Sequence, residues 1–245
     1  MRSRFLAIFG SIVLSTVVLV SLALNGRVAA ESEGLGGATP PTTVRISEPV
    51  PGEEANGDST TPAISANGRF MAFASKAENL DPLFVNNFLQ DIFIKDLETQ
   101  VITRVVAFAQ TGAPNGESRN PDISANGRFI VFETDATDFA SQMELFDDNA
   151  GPDIYIYDRD NEFLDIISAN WEQFEIANGP SYTPAVAAAG DVYRVVFVSE
   201  ATNLHPNDTD TTPDIYVATL SPSSPQPLEM KLVSVNSLGV KGNAG

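Results

Sequence analysis

One stretch of this chain is written three times, and that repetition limits the fold more than any single residue does. Residues 62–106 carry Pro-Ala-Ile-Ser-Ala-Asn-Gly-Arg-Phe, then Asp-Ile-Phe-Ile-Lys-Asp, then Val-Ile-Thr-Arg-Val-Val, and the same order returns over 121–168 and 184–235. Two landmarks keep one register. Pro62, Pro121 and Pro184 are 59 and 63 residues apart, and Asp91, Asp153 and Asp214 are 62 and 61 apart. A repeat of this length, holding several short apolar runs, describes sheet units stacked around an axis.

The units fall near 48–106, 107–168 and 169–235, and each reads as four strands, a to d. In the first copy these lie near 62–65, 69–75, 91–96 and 101–106. Ala66-Asn67-Gly68 carries the a-to-b hairpin and Ala125-Asn126-Gly127 repeats it; Asn-Gly is the pair that tolerates positive φ in a tight turn. Strands b and c, such as Phe129 to Phe132 and Ile154 to Tyr157, are apolar at consecutive positions. Both of their faces are therefore expected to be buried between neighbouring sheets, as in a propeller blade, whereas a sandwich strand would expose one face. The predicted fold class is all-β: a β-propeller with three four-stranded blades in this chain.

The run Pro-x-Ile-Ser-Ala-Asn-Gly-Arg-Phe, followed further on by Asp-Ile-Phe/Tyr and a terminal Asp, resembles the TolB-type, WD-like β-propeller repeat of exported bacterial proteins. The resemblance covers residues 44–245. Two copies match closely, although the family more often has Asp where Asn67 and Asn126 stand, and the third has Ala187-Ala188-Ala189-Gly190-Asp191 in place of the Ser-Ala-Asn-Gly turn. Val44-Arg45-Ile46-Ser47 resembles a strand d with no a, b and c before it, and Lys231 to Gly245 supplies a strand d and then stops. Propellers close with about four to eight blades, so three leave an incomplete ring. The expectation is the N-terminal part of a longer propeller; the alternative is two such chains closing one ring. The resemblance implies a non-enzymatic periplasmic or extracellular scaffold that binds a protein or a cell-envelope polymer. TolB itself carries an α/β domain ahead of its propeller, where this chain has only a short leader. A similarity to exported peptidases of the prolyl-oligopeptidase type implies the other reading, a substrate-filtering propeller of a longer hydrolase whose catalytic domain is absent from this sequence.

Export is also legible at the N-terminus. Residues 5–24 form one apolar run behind Arg2 and Arg4, followed by a polar stretch ending Val28-Ala29-Ala30. Those are the three zones of a signal peptide over 1–30; the run is also long enough to act as an uncleaved, outward-facing membrane anchor. Residues 31–43, rich in Gly, Pro and Thr, read as a flexible leader. Loss of residues 1–30 would remove three of the 14 cationic side chains and none of the 32 acids, leaving 11 against 32, a net charge of −21. Such a surface repels phosphate backbones and anionic lipid, which excludes nucleic acid as a partner and confines membrane contact to residues 5–24. The absence of cysteine excludes disulfides and thiol chemistry.

The b-to-c loops carry the most chemically suggestive pattern. Asp147, Asn149 and Asp153 in the second copy, and Asp208, Asp210 and Asp214 in the third, share the spacing Asp-x-(Asn/Asp)-x-x-x-Asp. Oxygen ligands so spaced in a loop can converge on a hard cation, and calcium is the natural choice outside the cytoplasm. The first copy has Val85, Asn87 and Asp91, so its leading carboxylate is missing. The competing reading is that Asp91, Asp153 and Asp214 cap the turn into strand c by accepting backbone N–H bonds.

Other polar residues have structural explanations. Asp96 and Asp158 fit the c-to-d turn, and Arg69 and Arg128 simply open strand b in preference to pairing with acids. The single histidine, His205, reads as a loop residue. With one His, no Cys and no Gly-x-Ser-x-Gly, the sequence supplies no hydrolase-type triad. Trp171 and Phe174 lie in the long connection into the third unit, either as recognition anchors or folded back over the sheet edge.

Overall fold

Short β-branched and aromatic runs, punctuated by Asn-Gly and Asp turns, pair with their immediate neighbours in the order they are made. A computed structural model of the protein describes residues 43–50, 52–81, 87–106, 114–141, 145–149, 151–189, 192–221 and 224–241. The expected signal segment, most of the leader, Val85 and the Gly190-Asp191 turn lie outside these residues. The first sheet is β1 (Ser59–Ile64), β2 (Phe70–Ser75), β3 (Asp91–Asp96) and β4 (Ile102–Arg104). The second is β5 (Ser118–Ile123), β6 (Phe129–Thr134), β7 (Asp153–Asp158) and β8 (Phe163–Ile166). A two-stranded hairpin, β9 (Ala169–Asn170) and β10 (Glu175–Ile176), precedes the third sheet of β11 (Ser181–Ala189), β12 (Val192–Ser199), β13 (Asp214–Ser221) and β14 (Ser224–Leu232). Each four-stranded sheet is an antiparallel meander in chain order.

These sheets are propeller blades. The first strand of each lies across the face of the sheet before it: β5 packs on β1, β2 and β3, and β11 on β5, β6 and β7, whereas among the last strands β14 only grazes β8. Inner edges converge and outer edges fan apart, as blades do around an axis. The inner strands share a further device. Each breaks register at the same place, with Thr61, Asn120 and Thr183 at φ of 47°, 50° and 54° just before Pro62, Pro121 and Pro184. A proline lacks the N–H for a regular ladder and is at home in such a bulge. The repeated proline is thus a marker of the bulge that bends strand a.

One apolar core runs through all three blades, from Phe70 and Ile92 through Phe132 and Ile154 to Val195 and Leu232. A smaller cluster of Phe73, Ala77, Leu80 and Phe93 lies on the other face of the first blade. The expectation of double-sided burial holds for β6 and β7, which are buried at every position, and nearly so for β2 and β3. It fails for the third blade. There β12 and β13 alternate, and Val196 and Ile215 stand 38% and 44% exposed. Their counterparts in register, Val131 and Ile154, are fully buried in strands on which β11 packs; among the described residues no strand covers the third blade in the same way.

Three local expectations need correction. In the a-to-b turns the positive φ falls on glycine alone, Gly68 at 69° and Gly127 at 75°. The asparagine instead uses its side chain: Asn67 Oδ1 accepts from the Arg69 N–H at 3.0 Å and from Ser65 Oγ at 2.6 Å. A Cβ on Gly127 would fall 2.3 Å from the Phe70 ring, so this glycine also permits the first two blades to close together. Arg69 and Arg128 do more than open strand b. Because register sets residues 70 and 129 opposite Asp96 and Asp158, Arg69 reaches Asp96 at 2.8 Å and Arg128 reaches Asp158 at 2.7 Å. Val44 to Ser47 forms no strand; its described residues have no ladder partner, and the Ile46 carbonyl accepts from Lys95 Nζ at 2.9 Å.

Among the described residues no helix is long and apolar enough to cross a membrane. Residues 5–24 lie outside them.

Candidate functional site

An up-and-down meander places its b-to-c loops and its d-to-a connections at the same end of the blades. That end gathers the acidic loops and the Trp171–Phe174 segment. Asp91, Asp153 and Asp214 open β3, β7 and β13 there, and all three are buried. A buried carboxylate needs a counter-charge, several hydrogen bonds or a proton. The three blades answer that need differently.

In the first blade the answer is a cation. Arg104, on β4 and itself buried, forms an ion pair with Asp91. Burial pushes Asp91 up to about 6 against the opposing pull of Arg104. Asn87 is tied to the backbone, donating through Nδ2 to the Pro114 carbonyl and accepting the Leu89 N–H at 3.0 Å.

Among the described residues no cationic side chain meets the carboxylate of the second blade. Asp153 accepts Ser168 Oγ at 2.6 Å and Asn149 Nδ2 at 2.9 Å, and burial pushes it up to about 8. Asn149 also donates to the Ala177 carbonyl at 2.8 Å and accepts the Gly151 N–H at 2.7 Å, so its amide links the loop to the next connection. Two groups beside Asp153 are left over. Asp147 Oδ1 and the Tyr155 hydroxyl are enclosed and have no hydrogen-bond partner among the described residues. Burial raises Asp147, and burial followed by the charges of Asp153 and Asp147 raises Tyr155.

In the third blade an ammonium sits among three acids. Lys241 Nζ lies 2.5 Å from Asp208, 2.7 Å from Asp210 and 2.6 Å from Asp214. One oxygen from each acid falls within 4.8 Å of the others, so the pattern read in the sequence does converge here. Tyr216 donates to Asp208, Ser234 Oγ donates to Asp214 at 2.5 Å, and Asp210 accepts the Thr212 N–H at 2.8 Å. Asp210 is held near 2, first by Lys241.

Backbone capping is carried largely by the residues next to these aspartates. Ser168 Oγ accepts the Ile154 N–H at 2.9 Å and Ser234 Oγ the Ile215 N–H at 3.2 Å, while each hydroxyl gives its proton to the aspartate. Asp96 does serve its c-to-d turn, accepting the Glu98 N–H at 2.9 Å, and Asp158 accepts the Asp160 N–H at 3.1 Å.

The segment with Trp171 and Phe174 is the tip of the β9–β10 hairpin. Asn170 Nδ2 donates to the Asn203 carbonyl at 2.7 Å and Asn203 Nδ2 to the Ile176 carbonyl at 2.8 Å, clamping the hairpin to the third blade's acidic loop. Trp171 is half-buried against the core, with its indole N–H enclosed and unpartnered among the described residues. Phe174 is 72% exposed at a φ of 56°. A cavity of about 300 Å³ lies beside the hairpin, lined by Trp171, Glu172, Leu204, His205, Pro206 and Leu228 among others. His205 Nδ1 accepts the Asn207 N–H at 3.2 Å, a loop-shaping contact. The connection after the third blade repeats the form: Val235 bridges Lys241 as Ala169 pairs with Ile176, and Leu238 at its tip is 85% exposed.

Sequence reasoning missed the counter-charges Arg104 and Lys241, which stand 13 and 27 residues beyond their aspartates and carry no repeat signal. It also missed a repeated Asn-Gly that it could have found, at 56–57, 115–116 and 178–179, in register with the prolines. Asn56, Asn115 and Asn178 each bind the backbone beyond strand b through Oδ1.

No protein-family model matches the sequence, and no curated protein matches it. Solved structures with a similar arrangement include TolB from Acinetobacter baumannii, 16% identical, with 77% of this chain and 35% of that one covered at a TM-score of 0.39. The β-propeller domain of the trilobed protease from Pyrococcus furiosus is 13% identical over 71% of this chain and 43% of its own, with a TM-score of 0.38. Dipeptidyl peptidase 4 from Porphyromonas gingivalis is 14% identical over 75% and 27%, with a TM-score of 0.40. The chain spans less than half the length of each.

Proposed function

We propose that this protein is an exported, non-enzymatic β-propeller scaffold that binds a protein or a cell-envelope polymer at the end of the blades where the d-to-a hairpins project. The observation that carries this reading is the pair of exposed apolar tips, Phe174 and Leu238, displayed beside acidic loops on a stiff sheet scaffold. A large apolar side chain held out on a clamped hairpin has little conformational freedom to lose on contact, which favours recognition. The flanking Glu172, Glu175 and Asp210 suit a partner with basic groups, in keeping with the net charge of −18.

Binding of the protein to immobilised envelope proteins and to purified envelope polymers tests this. Phe174→Ser combined with Leu238→Ser, folded by circular dichroism, is expected to weaken that binding at least about tenfold, the scale of losing one anchoring contact. Undiminished binding by the double variant would remove the hairpin tips from the account. A downstream Gly-x-Ser-x-Gly hydrolase domain in the full-length reading frame, with peptide binding indifferent to both substitutions, would instead support the substrate-filtering reading.

A further inference from the structure

The three blades act as each other's controls for one buried position, and among the described residues the second is the one whose aspartate meets no cation. Register aligns them closely. Tyr155 pairs opposite Phe132 as Tyr216 pairs opposite Phe197, and Ile176 pairs with Ala169 as Lys241 bridges Val235. The third blade therefore shows where a positive charge sits when one is supplied: between Asp208, the equivalent of Asp147, and Asp214, the equivalent of Asp153. At the lysine's position the second blade has Ile176, which is buried and apolar. Its two carboxylates remain, with Asp153 99% buried. So does the tyrosine. Where the Tyr216 hydroxyl bonds Asp208, the fully buried Tyr155 hydroxyl, in the field of Asp153 and Asp147, has no partner among the described residues.

We propose that the second blade binds a divalent cation, calcium, between Asp147 and Asp153, at the place the Lys241 ammonium takes in the third. Two carboxylates and no lysine leave a charge that a divalent ion neutralises. Calcium accepts about six to eight oxygens at flexible angles, so loop oxygens and water can complete its shell around the two acids. Asn149 is then a positioning residue, its amide holding the loop to the Ala177 carbonyl. The first blade takes no ion, since Arg104 already meets Asp91. In the third the ammonium occupies the place.

Calorimetric titration of the protein with calcium chloride and, separately, magnesium chloride tests the assignment, with melting temperature as a second reading. One calcium per chain is expected, with a larger rise in melting temperature than equal magnesium gives, because magnesium holds its water and demands a stricter geometry. Asp147→Asn, a change at a half-buried loop position, should abolish both the binding and the calcium excess. Lys241→Met should raise the count from one to two by opening the third blade's acids. Equal shifts with both ions would mean screening of a highly acidic surface and would overturn the proposal, as would calcium binding that survives Asp147→Asn. A count that stays at one in Lys241→Met would break the equivalence between ammonium and ion on which the proposal stands.

Discussion

The second and third blades begin strand c with the same buried aspartate and surround it in opposite ways. Asp214 has an ammonium 2.6 Å away, whereas Asp153 has a serine, an amide and an unpartnered tyrosine nearby. The two blades also differ in burial: β6 and β7 are enclosed on both faces, while β12 and β13 show Val196 and Ile215 to solvent. A repeat therefore fixes the backbone more strictly than the electrostatics. Main-chain pairing needs only β-formers in register, but each buried charge must be answered by whichever side chain the local connection brings, and those connections vary most among the copies.

The largest effect should come from breaking the one blade whose answer is a buried arginine. Arg104→Met strands Asp91 in the core and should cost about 3–5 kcal/mol, the usual penalty for removing one partner of a buried pair. Denaturant unfolding measures it, and adding Asp91→Asn should recover much of the loss. A cost under about 1 kcal/mol, the level of an exposed pair, would show that Asp91 is already protonated or solvated.

Next in size is the difference between enclosed and open faces. Ile154→Ala in the second blade should cost about 2–5 kcal/mol, whereas Ile215→Ala at the matching place in the third should cost less than half as much, because much of that side chain is already in water. Equal costs would mean that the third blade's face is covered in solution, by another chain or by residues outside those described.

A smaller effect, set by pH, concerns Asp165 on β8, buried with no cation beside it among the described residues and pushed by burial up to about 7 from 3.8. An acid whose folded value is raised binds its proton more tightly when folded. Its contribution is full below pH 4 and is lost as pH rises through 7. Asp165→Asn should therefore flatten the fall in melting temperature between pH 4 and 7. A slope unchanged by the substitution would place its origin elsewhere.

The strands, their order and the repeat boundaries were readable because apolar runs and Asn-Gly turns are local signals, and a period repeats them. Convergence of Asp208, Asp210 and Asp214 was readable for the same reason, being contained in one loop. What fills that loop was not. Lys241 lies on a later connection, and nothing in its own surroundings marks it as a partner. The Arg69–Asp96 pair is legible only from the register: residues 70 and 96 face each other across the ladder, which brings the guanidinium to the carboxylate. Alternating burial in the third blade was invisible to a pattern as apolar as Val195-Val196-Phe197-Val198, since a sequence does not say which face has a neighbour.

One set of melting temperatures, taken at pH 8 with a chelator present, tests most directly whether one buried carboxylate is answered in three ways. The same isosteric change, aspartate to asparagine, is made at Asp91, Asp153 and Asp214. At Asp91 and Asp214 it leaves Arg104 or Lys241 with a weakened partner, and the melting temperature should fall. At Asp153 it removes a buried charge that no cation meets among the described residues, so the melting temperature should hold or rise, and added calcium should no longer raise it. Three falls of similar size would contradict the account, because they would show that Asp153 is as well compensated as its two counterparts.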